Sequence, residues 1–293
     1  MSATVAMEAA AEHAHGGRAG VLRRLARRPA AVVSAATIAL LLLLSLLATP
    51  IAGSPTAIDT NQILAAPSGA HLLGTDELGR DLLARTFAGG RITLLVAFGA
   101  MAVSMLLGIA WGFAAAASGR VVDEALMRVA DAGMAIPAIL LALILVAAFG
   151  TSTWTLAIVS GALLAPQTAR IARSALLAEL RSDYRLAARA TGVSPLRTVF
   201  GELLPNASPA LIAQASLNIA WAIGIEASLS FLGLGVQPPD ASWGTLLQEG
   251  YASLYRSVWL TVVPAVAIFV AILAFNTLGT QLQHVLDPRE EGR

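Results

Sequence analysis

Positions 182–206 read SDYRLAARATGVSPLRTVFGELLPN, a polar, arginine-bearing stretch that separates two long apolar regions of the chain. The pattern is typical of two short helices joined by a turn. Ser182 or Asp183 can cap the first helix, and Gly192 can adopt the left-handed conformation that commonly ends one. Ser194-Pro195 can begin the second helix, because the first helical turn does not need the N–H that proline lacks. The stretch therefore predicts a compact knob of small residues that a groove on another protein can accept.

The composition predicts an integral membrane protein. Of the 293 residues, 57% are hydrophobic and only 13% are charged, which is about half the charged fraction of a soluble domain. Cysteine is absent, which excludes disulfides and thiolate metal sites. All 19 basic residues are arginine, so the chain lacks the lysine that a Walker A phosphate-binding loop or a Schiff base requires. If ATP drives this protein, another subunit must hydrolyse it.

The apolar runs predict six membrane crossings. These are positions 29–49, 92–118, two crossings within 132–169 that a break at 150–153 separates, 208–232 and 257–280. Fifteen of the 19 arginines then lie on one side of the membrane, which the positive-inside rule assigns to the cytoplasm. No internal repeat is visible, which disfavours folds that are built from paired inverted halves.

The same pattern defines the domain organisation. We expect a cytoplasmic tail (1–28), a first transmembrane helix (29–49), an external segment (50–91), a five-helix core (92–280) that contains a cytoplasmic loop (170–206), and a second cytoplasmic tail (281–293). The predicted fold class is an all-α membrane protein with six transmembrane helices and both termini in the cytoplasm. In the second crossing, three glycines are expected to let a neighbouring helix pack closely: Gly99, Gly108 and Gly112.

Four motifs follow one another along the chain. They are LGTDELGRD (73–81), the stretch with Ala187-Ala188, Gly192 and Leu204-Pro205, IEASLSFLGLGVQPP (225–239), and LAFNTLG (273–279) followed by DPR (287–289). In this order they resemble the second permease subunit of dipeptide and oligopeptide ABC importers, and the resemblance runs from about Arg18 to Arg289. The second motif resembles the cytoplasmic EAA loop of that family. One departure is Leu186, which stands where the family has glutamate.

The resemblance implies a type I ABC-importer permease fold and a transport subunit that is not itself an enzyme. The implied partners are a second homologous permease, two ABC ATPases that hold ATP and Mg²⁺, an external substrate-binding protein and the lipid bilayer of the cell membrane. It implies neither a cofactor in this chain nor nucleic acid. The implied cargo is a peptide, or alternatively nickel or another small solute, moved by alternating access. The residues implied in coupling to the ATPases are Asp183, Leu186, Ala187, Ala188, Arg189, Gly192, Leu204 and Pro205, and Pro205 is also expected to end a helix.

The external motif permits two interpretations. Thr75 or Asp76 can cap a short helix that runs through Arg85, and Arg80 and Asp81 form the charged pair of the motif. A cap and an ion pair would seat this segment on the membrane surface. The functional alternative is a contact with the second permease or the external binding protein. The residues of the motif that we assign to this site are Gly74, Thr75, Asp76, Gly79, Arg80 and Asp81.

Polar side chains in the later crossings are candidates for a translocation path. Gln214, Asn218 and Glu226 recur at helical spacing, so they lie on roughly one face of the fifth crossing. A carboxylate within a membrane costs about 3 kcal/mol, so Glu226 should face protein or water. These three residues, and Asn276 in the last crossing, either line the path or form hydrogen bonds that hold helices together. Near the inner surface, Asp131 is expected to pair with Arg128.

Two other function classes fit the sequence less well. An intramembrane hydrolase needs a Ser–His pair or two carboxylates within the bilayer. The histidines, at 13, 15, 71 and 284, lie outside the predicted crossings and none is placed to bind a metal, while Glu226 is alone at its depth. An ion-coupled secondary transporter could use Glu226, but the missing repeat and the large basic inner loop disfavour it.

Overall fold

The computed structural model describes residues 23–180 and 204–286. Its helices are α1 (Pro29–Leu46), α2 (Ala48–Ala52), α3 (Leu82–Ala117), α4 (Arg120–Ala135), α5 (Ala138–Phe149), α6 (Thr153–Leu180), α7 (Leu204–Leu229), α8 (Trp243–Ala252) and α9 (Trp259–Leu286). The described residues also include a short helical stretch at 23–26, a 3₁₀ turn at Thr60–Gln62 and a π-helical turn at Ser230–Leu234. Within these described residues no β-strand occurs, and the protein is all-α as predicted.

Several helices are long and apolar enough to cross a membrane. Within the described ranges there are four such helices: α1, α3, α7 with the turn that follows it, and α9. A fifth crossing is formed if α4 and α5, which meet at an angle of 88°, are taken as one broken span. The remaining predicted crossing corresponds to α6, which is less apolar because it contains Gln167, Arg170 and Arg173. The predicted break before it is confirmed, since α5 ends at Phe149 and α6 begins at Thr153.

Helix α3 extends beyond the second predicted crossing (92–118). It is continuous from Leu82, so its first turns precede the apolar run. Asp81 caps this helix by accepting a hydrogen bond from the Ala84 N–H at 2.9 Å, so the prediction of a cap at Thr75 or Asp76 is wrong. The charged segment that begins at Arg120 forms the amphipathic helix α4.

Close packing of α3 against α6 depends on the predicted glycines. A Cβ atom on Gly108 would lie 2.5 Å from the Cβ of Thr168, and one on Gly112 would lie 2.5 Å from the carbonyl oxygen of Ala169. The space at Gly99 is less restricted, with 3.0 Å to the Cβ of Ala157. No larger residue fits at Gly108 or Gly112 unless the backbones separate. The predicted close-packing face of α3 is therefore confirmed.

Helix α7 lies at the centre of the bundle. It packs against α3, α6 and α9, and most of its side chains are buried. Its contact with α9 includes a hydrogen bond from the Ser216 hydroxyl to the Phe275 carbonyl at 2.8 Å. Helix α8 is anchored beside it by Trp243, whose indole N–H donates to the Thr86 carbonyl at 2.8 Å and whose backbone N–H donates to Thr93 Oγ1 at 3.1 Å. Polar groups of α7 are therefore held within the subunit.

Candidate functional site

An ion cluster joins the external motif to α8. The Asp76 carboxylate accepts from Arg80 Nε at 2.6 Å and from Arg85 Nη1 at 2.7 Å. Arg85 Nη1 also donates to Glu249 Oε2 at 2.6 Å. The side chains of Arg85 and Asp76 are 4% and 5% exposed, so removing either one would leave the other as a buried charge that is only partly neutralised. The cluster therefore holds the loop at 73–81, the start of α3 and α8 in one arrangement.

The predicted pairing within the motif is wrong. Arg80 pairs with Asp76 rather than with its neighbour Asp81. Asp81 instead caps α3 and contacts His71, with 2.8 Å between Nδ1 and Oδ2. The backbone of the loop folds back so that Asp76 also accepts the N–H groups of Leu78 and Arg80, at 2.8 and 2.9 Å. This local folding directs the carboxylate of Asp76 towards both arginines.

Two glycines of the motif allow this loop conformation. Gly74 and Gly79 have φ angles of +82° and +74°, which other residues rarely adopt. A Cβ atom on Gly79 would lie 1.8 Å from the Asp59 carbonyl oxygen. Thr75 is buried, and its hydroxyl donates to the Gln62 carbonyl and accepts from the Ala65 N–H at 2.8 Å. The motif thus fixes a compact loop; a contact with a partner protein stays a prediction.

A buried polar network connects three helices. The Asn218 side-chain amide on α7 donates to Ser104 Oγ on α3 at 3.0 Å and to Thr168 Oγ1 on α6 at 2.9 Å. Its Oδ1 accepts from Gln214 Nε2 at 2.8 Å. Asn218 and Gln214 are 0% and 1% exposed. They share a helix face as predicted, but that face contacts α3 and α6 within the subunit.

Glu226 is also enclosed by protein. It is fully buried, and its Oε1 accepts from the Ser230 hydroxyl at 2.6 Å. Ser230 in turn accepts from the Ser242 hydroxyl at 3.3 Å, while Oε2 of Glu226 has no hydrogen-bond partner among the described residues. Asn276 is half-buried on α9. A part for these residues in a translocation path stays a prediction, and their contacts are those of helix packing.

Sequence reasoning missed the partners of these polar groups. Ser104 and Thr168 are single hydroxyls in apolar runs, and Thr168 also bonds the carbonyl of its own helix at Leu164, at 3.1 Å. Such residues give no signal of a tertiary partner. Glu249 was missed because α8 is 164 positions from Arg85 in sequence. The available signal was Arg85 itself, because an arginine at the start of an apolar helix requires an acidic partner when it is buried.

At the opposite end of the bundle, α4 is tied to α6 by two ion pairs. Arg173 bonds Asp123 through both Nε and Nη2, and Arg170 bonds Asp131. The predicted pair of Asp131 with Arg128 is therefore wrong. Asp131 pairs with Arg170 on the adjacent helix α6, and not with Arg128, which lies on its own helix α4. These pairs fix the amphipathic α4 against the part of α6 that precedes the arginine-bearing stretch.

The predicted coupling residues lie mostly outside the described part of the chain. Asp183, Leu186, Ala187, Ala188, Arg189 and Gly192 fall in the segment 181–203, which separates α6 from α7. Leu204 and Pro205 form the start of α7. Pro205 lies in the first turn, where the missing N–H costs no hydrogen bond. The preceding helix that Pro205 is predicted to end falls in the segment outside the described residues, so that expectation stays a prediction.

The apolar helices and the buried polar contacts between them define a multi-pass, all-helical membrane protein. Residues 104–292 match the family of binding-protein-dependent transport system inner membrane components, and residues 19–67 match the N-terminal transmembrane domain of oligopeptide transport permease C. The chain belongs to this family of inner-membrane permeases, which confirms the resemblance that the four motifs indicated.

Relatives support the same assignment. The di/tripeptide transport system permease protein DppC of Pseudomonas aeruginosa (strain UCBPP-PA14) is 39% identical over 218 residues, covering 74% of this chain and 72% of the relative. A Brucella suis biovar 1 (strain 1330) protein, named for a peptide transport system permease, is 38% identical over 268 residues, covering 91% and 90%. An inward-facing structure of the MetNI methionine ABC transporter shares the fold with a TM-score of 0.57 and 20% identity, covering 69% of this chain and 96% of that one.

Proposed function

We propose that this chain is one of two permease subunits in an ATP-driven importer that moves peptides into the cell by alternating access. An external binding protein delivers the peptide, and two separate ATPase subunits hydrolyse ATP. Family membership, the names of the peptide-transport relatives and the absence of lysine from the chain support this assignment. Nickel or another small solute is the alternative cargo within the same family.

The observation that carries the proposal is the linkage of α6 and α7, the two helices that flank the segment 181–203. Asn218 bonds α7 to both α3 and α6, and the glycines of α3 leave no space between α3 and α6. Closely packed protein interiors transmit displacement because their compressibility is low. A force applied to the segment 181–203 by an ATPase would therefore move these helices together rather than separately.

Alternating access requires that such a movement opens one side of the subunit pair as it closes the other. The ion pairs of Asp123 and Asp131 with α6 would make α4 follow that movement. On the other side, the cluster around Arg85 keeps α8 joined to α3. We therefore propose that the subunit rocks largely as one body, and that the path lies between this subunit and the second permease.

Co-purification tests the assignment. The full-length chain, tagged in the cells that naturally produce it and extracted in mild detergent, is expected to bring down an ABC ATPase and a second permease. The complex in proteoliposomes should accumulate a dipeptide only when ATP and the external binding protein are supplied. Isolation without any nucleotide-hydrolysing companion, or uptake driven by an ion gradient alone, would contradict the proposal.

We further propose six crossings with both termini in the cytoplasm. Helix α6 would be the additional crossing. It packs against α3, α4, α5 and α7, and these contacts bury its hydroxyl residues Ser160 and Thr168.

Single cysteines test this topology, because the natural chain contains none. Ala70→Cys and Ser118→Cys replace exposed residues before and after α3. In intact spheroplasts, an impermeant maleimide is expected to label the cysteine at position 70 and to leave the one at position 118 unlabelled until the membrane is permeabilised. Labelling both from outside, or only the second, would contradict the proposed orientation.

A further inference from the structure

An arginine without a partner lies at the edge of the membrane-spanning part of α3. Arg91 is exposed, and within residues 23–180 and 204–286 it has no ion pair or hydrogen bond. Its neighbour Arg85 differs, because Asp76 and Glu249 neutralise it. Positions 92–119 carry no charged side chain. Arg91 is therefore the first charged residue on the N-terminal side of the apolar part of α3.

The length of α3 places Arg91 at the level of lipid headgroups. From Arg91 to the helix end at Ala117, the rise of about 1.5 Å per residue gives about 40 Å. A bilayer is about 30 Å thick across its hydrocarbon core and about 40–45 Å with its headgroup regions. If the charged start of α4 lies at one membrane surface, Arg91 lies at the other. A cation at this depth is within reach of lipid phosphates.

Arg91 lines a pocket of about 420 Å³ between α1, α2, α3 and the loop that precedes α8. The pocket also contains a carboxylate, Asp240, which forms no ion pair with Arg91. Its wall includes the hydroxyl residue Thr49, and its apolar rim includes Leu46 and Leu95, which are 70% and 38% exposed. Arg85 also lines the pocket, but Asp76 and Glu249 neutralise it. Among the described residues, the pocket therefore offers one unpaired cation, one carboxylate and an apolar edge.

We propose that this pocket binds the headgroup of an amine-bearing phospholipid, with the phosphate on Arg91 and the ammonium on Asp240. Arginine binds phosphate through paired, charge-assisted hydrogen bonds, and an ammonium supplies N–H donors that a carboxylate accepts. Leu46 and Leu95 contact the start of the acyl chains. This site does not depend on the proposed transport function, because it requires only that α3 crosses the membrane.

Lipid selectivity tests the site directly. The purified full-length chain in detergent is titrated with phosphatidylethanolamine, phosphatidylglycerol or phosphatidylcholine of matched acyl chains, and bound lipid is counted by native mass spectrometry. Phosphatidylethanolamine is expected to bind best, because phosphatidylglycerol lacks the amine and phosphatidylcholine lacks N–H donors. Arg91→Gln should weaken binding of phosphatidylethanolamine about tenfold. Asp240→Asn should remove the preference for phosphatidylethanolamine over phosphatidylglycerol.

Arg256→Gln is the matched control. Arg256 is also exposed and lies in the loop between α8 and α9, outside this pocket, and its replacement should change nothing. Equal binding of the three lipids by the natural chain, or unchanged binding by Arg91→Gln, would overturn the proposal. If Arg91→Gln does not fold, an unchanged lipid preference in Asp240→Asn would overturn it instead. Displacement of the lipid by the dipeptide Ala-Ala would reassign the pocket to a peptide.

Discussion

Arg85→Gln is expected to destabilise the protein by about 3 kcal/mol, because it removes a cation from a buried ion pair. Asp76, whose side chain is 5% exposed, would keep its contact with Arg80 but would lose that with Arg85. Glu249 would lose its closest cationic partner and release α8 from the start of α3. In a thermal unfolding measurement on the protein in detergent, the midpoint should fall by roughly 6 °C or more.

Arg120→Gln provides the comparison for this variant. Arg120 also pairs with a carboxylate, that of Glu124 at 3.0 Å, but the two side chains are 90% and 65% exposed. Exposed pairs contribute little, so this change should alter stability by less than about 0.5 kcal/mol. If Arg85→Gln and Arg120→Gln unfold at the same temperature, the buried ion pairs of Arg85 do not stabilise the protein more than an exposed pair does. A partial rescue by the second change Asp76→Asn would show that the loss of Arg85 from the Asp76 carboxylate is the cause.

Gly192→Val is expected to abolish coupled transport while leaving the protein in the membrane. The sequence predicts a left-handed residue at this turn, and a β-branched side chain there costs about 1–2 kcal/mol. The charges of this segment predict that it lies outside the hydrocarbon-spanning helices, so insertion should not change. In proteoliposomes that contain the co-purified complex, peptide uptake should fall at least about tenfold, whereas ATP hydrolysis should continue.

Val193→Ala changes the adjacent residue without altering the glycine, and its uptake should equal that of the natural protein. Both variants must first elute as the intact complex, so that a loss of uptake reports coupling rather than assembly. Normal uptake by Gly192→Val would show that this turn does not transmit force. A parallel loss of ATP hydrolysis and uptake would indicate instead that the ATPase no longer docks.

The polar residues show where prediction from the sequence succeeded and where it did not. Helical spacing correctly placed Gln214 and Asn218 on one face, since that depends only on the geometry of a single helix. Their hydrogen bonds to each other and to Ser104 and Thr168 could not be derived in this way. The sequence alone does not distinguish a polar side chain that faces a translocation path from one that faces a neighbouring helix.

Nearest-neighbour reasoning also failed for the ion pairs. It predicted Arg80 with Asp81 and Asp131 with Arg128, whereas the structure pairs Arg80 with Asp76 and Asp131 with Arg170. Charged residues that are adjacent in sequence, or that lie on one helix, are close along the backbone. Their side chains can nevertheless point in different directions. The loop conformation at Gly79 and the approach of α6 to α4 decide which charged groups meet.

The sequence by itself determined that this chain is a helical membrane protein and placed its apolar runs, its break at 150–153 and its arginine-bearing stretch. These properties follow from hydropathy and charge averaged over successive residues, so no distant contact is needed to read them. Only the tertiary structure decided that Arg85 meets Glu249 and that Asn218 joins three helices. Such pairings depend on how closely helices remote in sequence approach one another, and that distance is set by the packing of small residues such as Gly112.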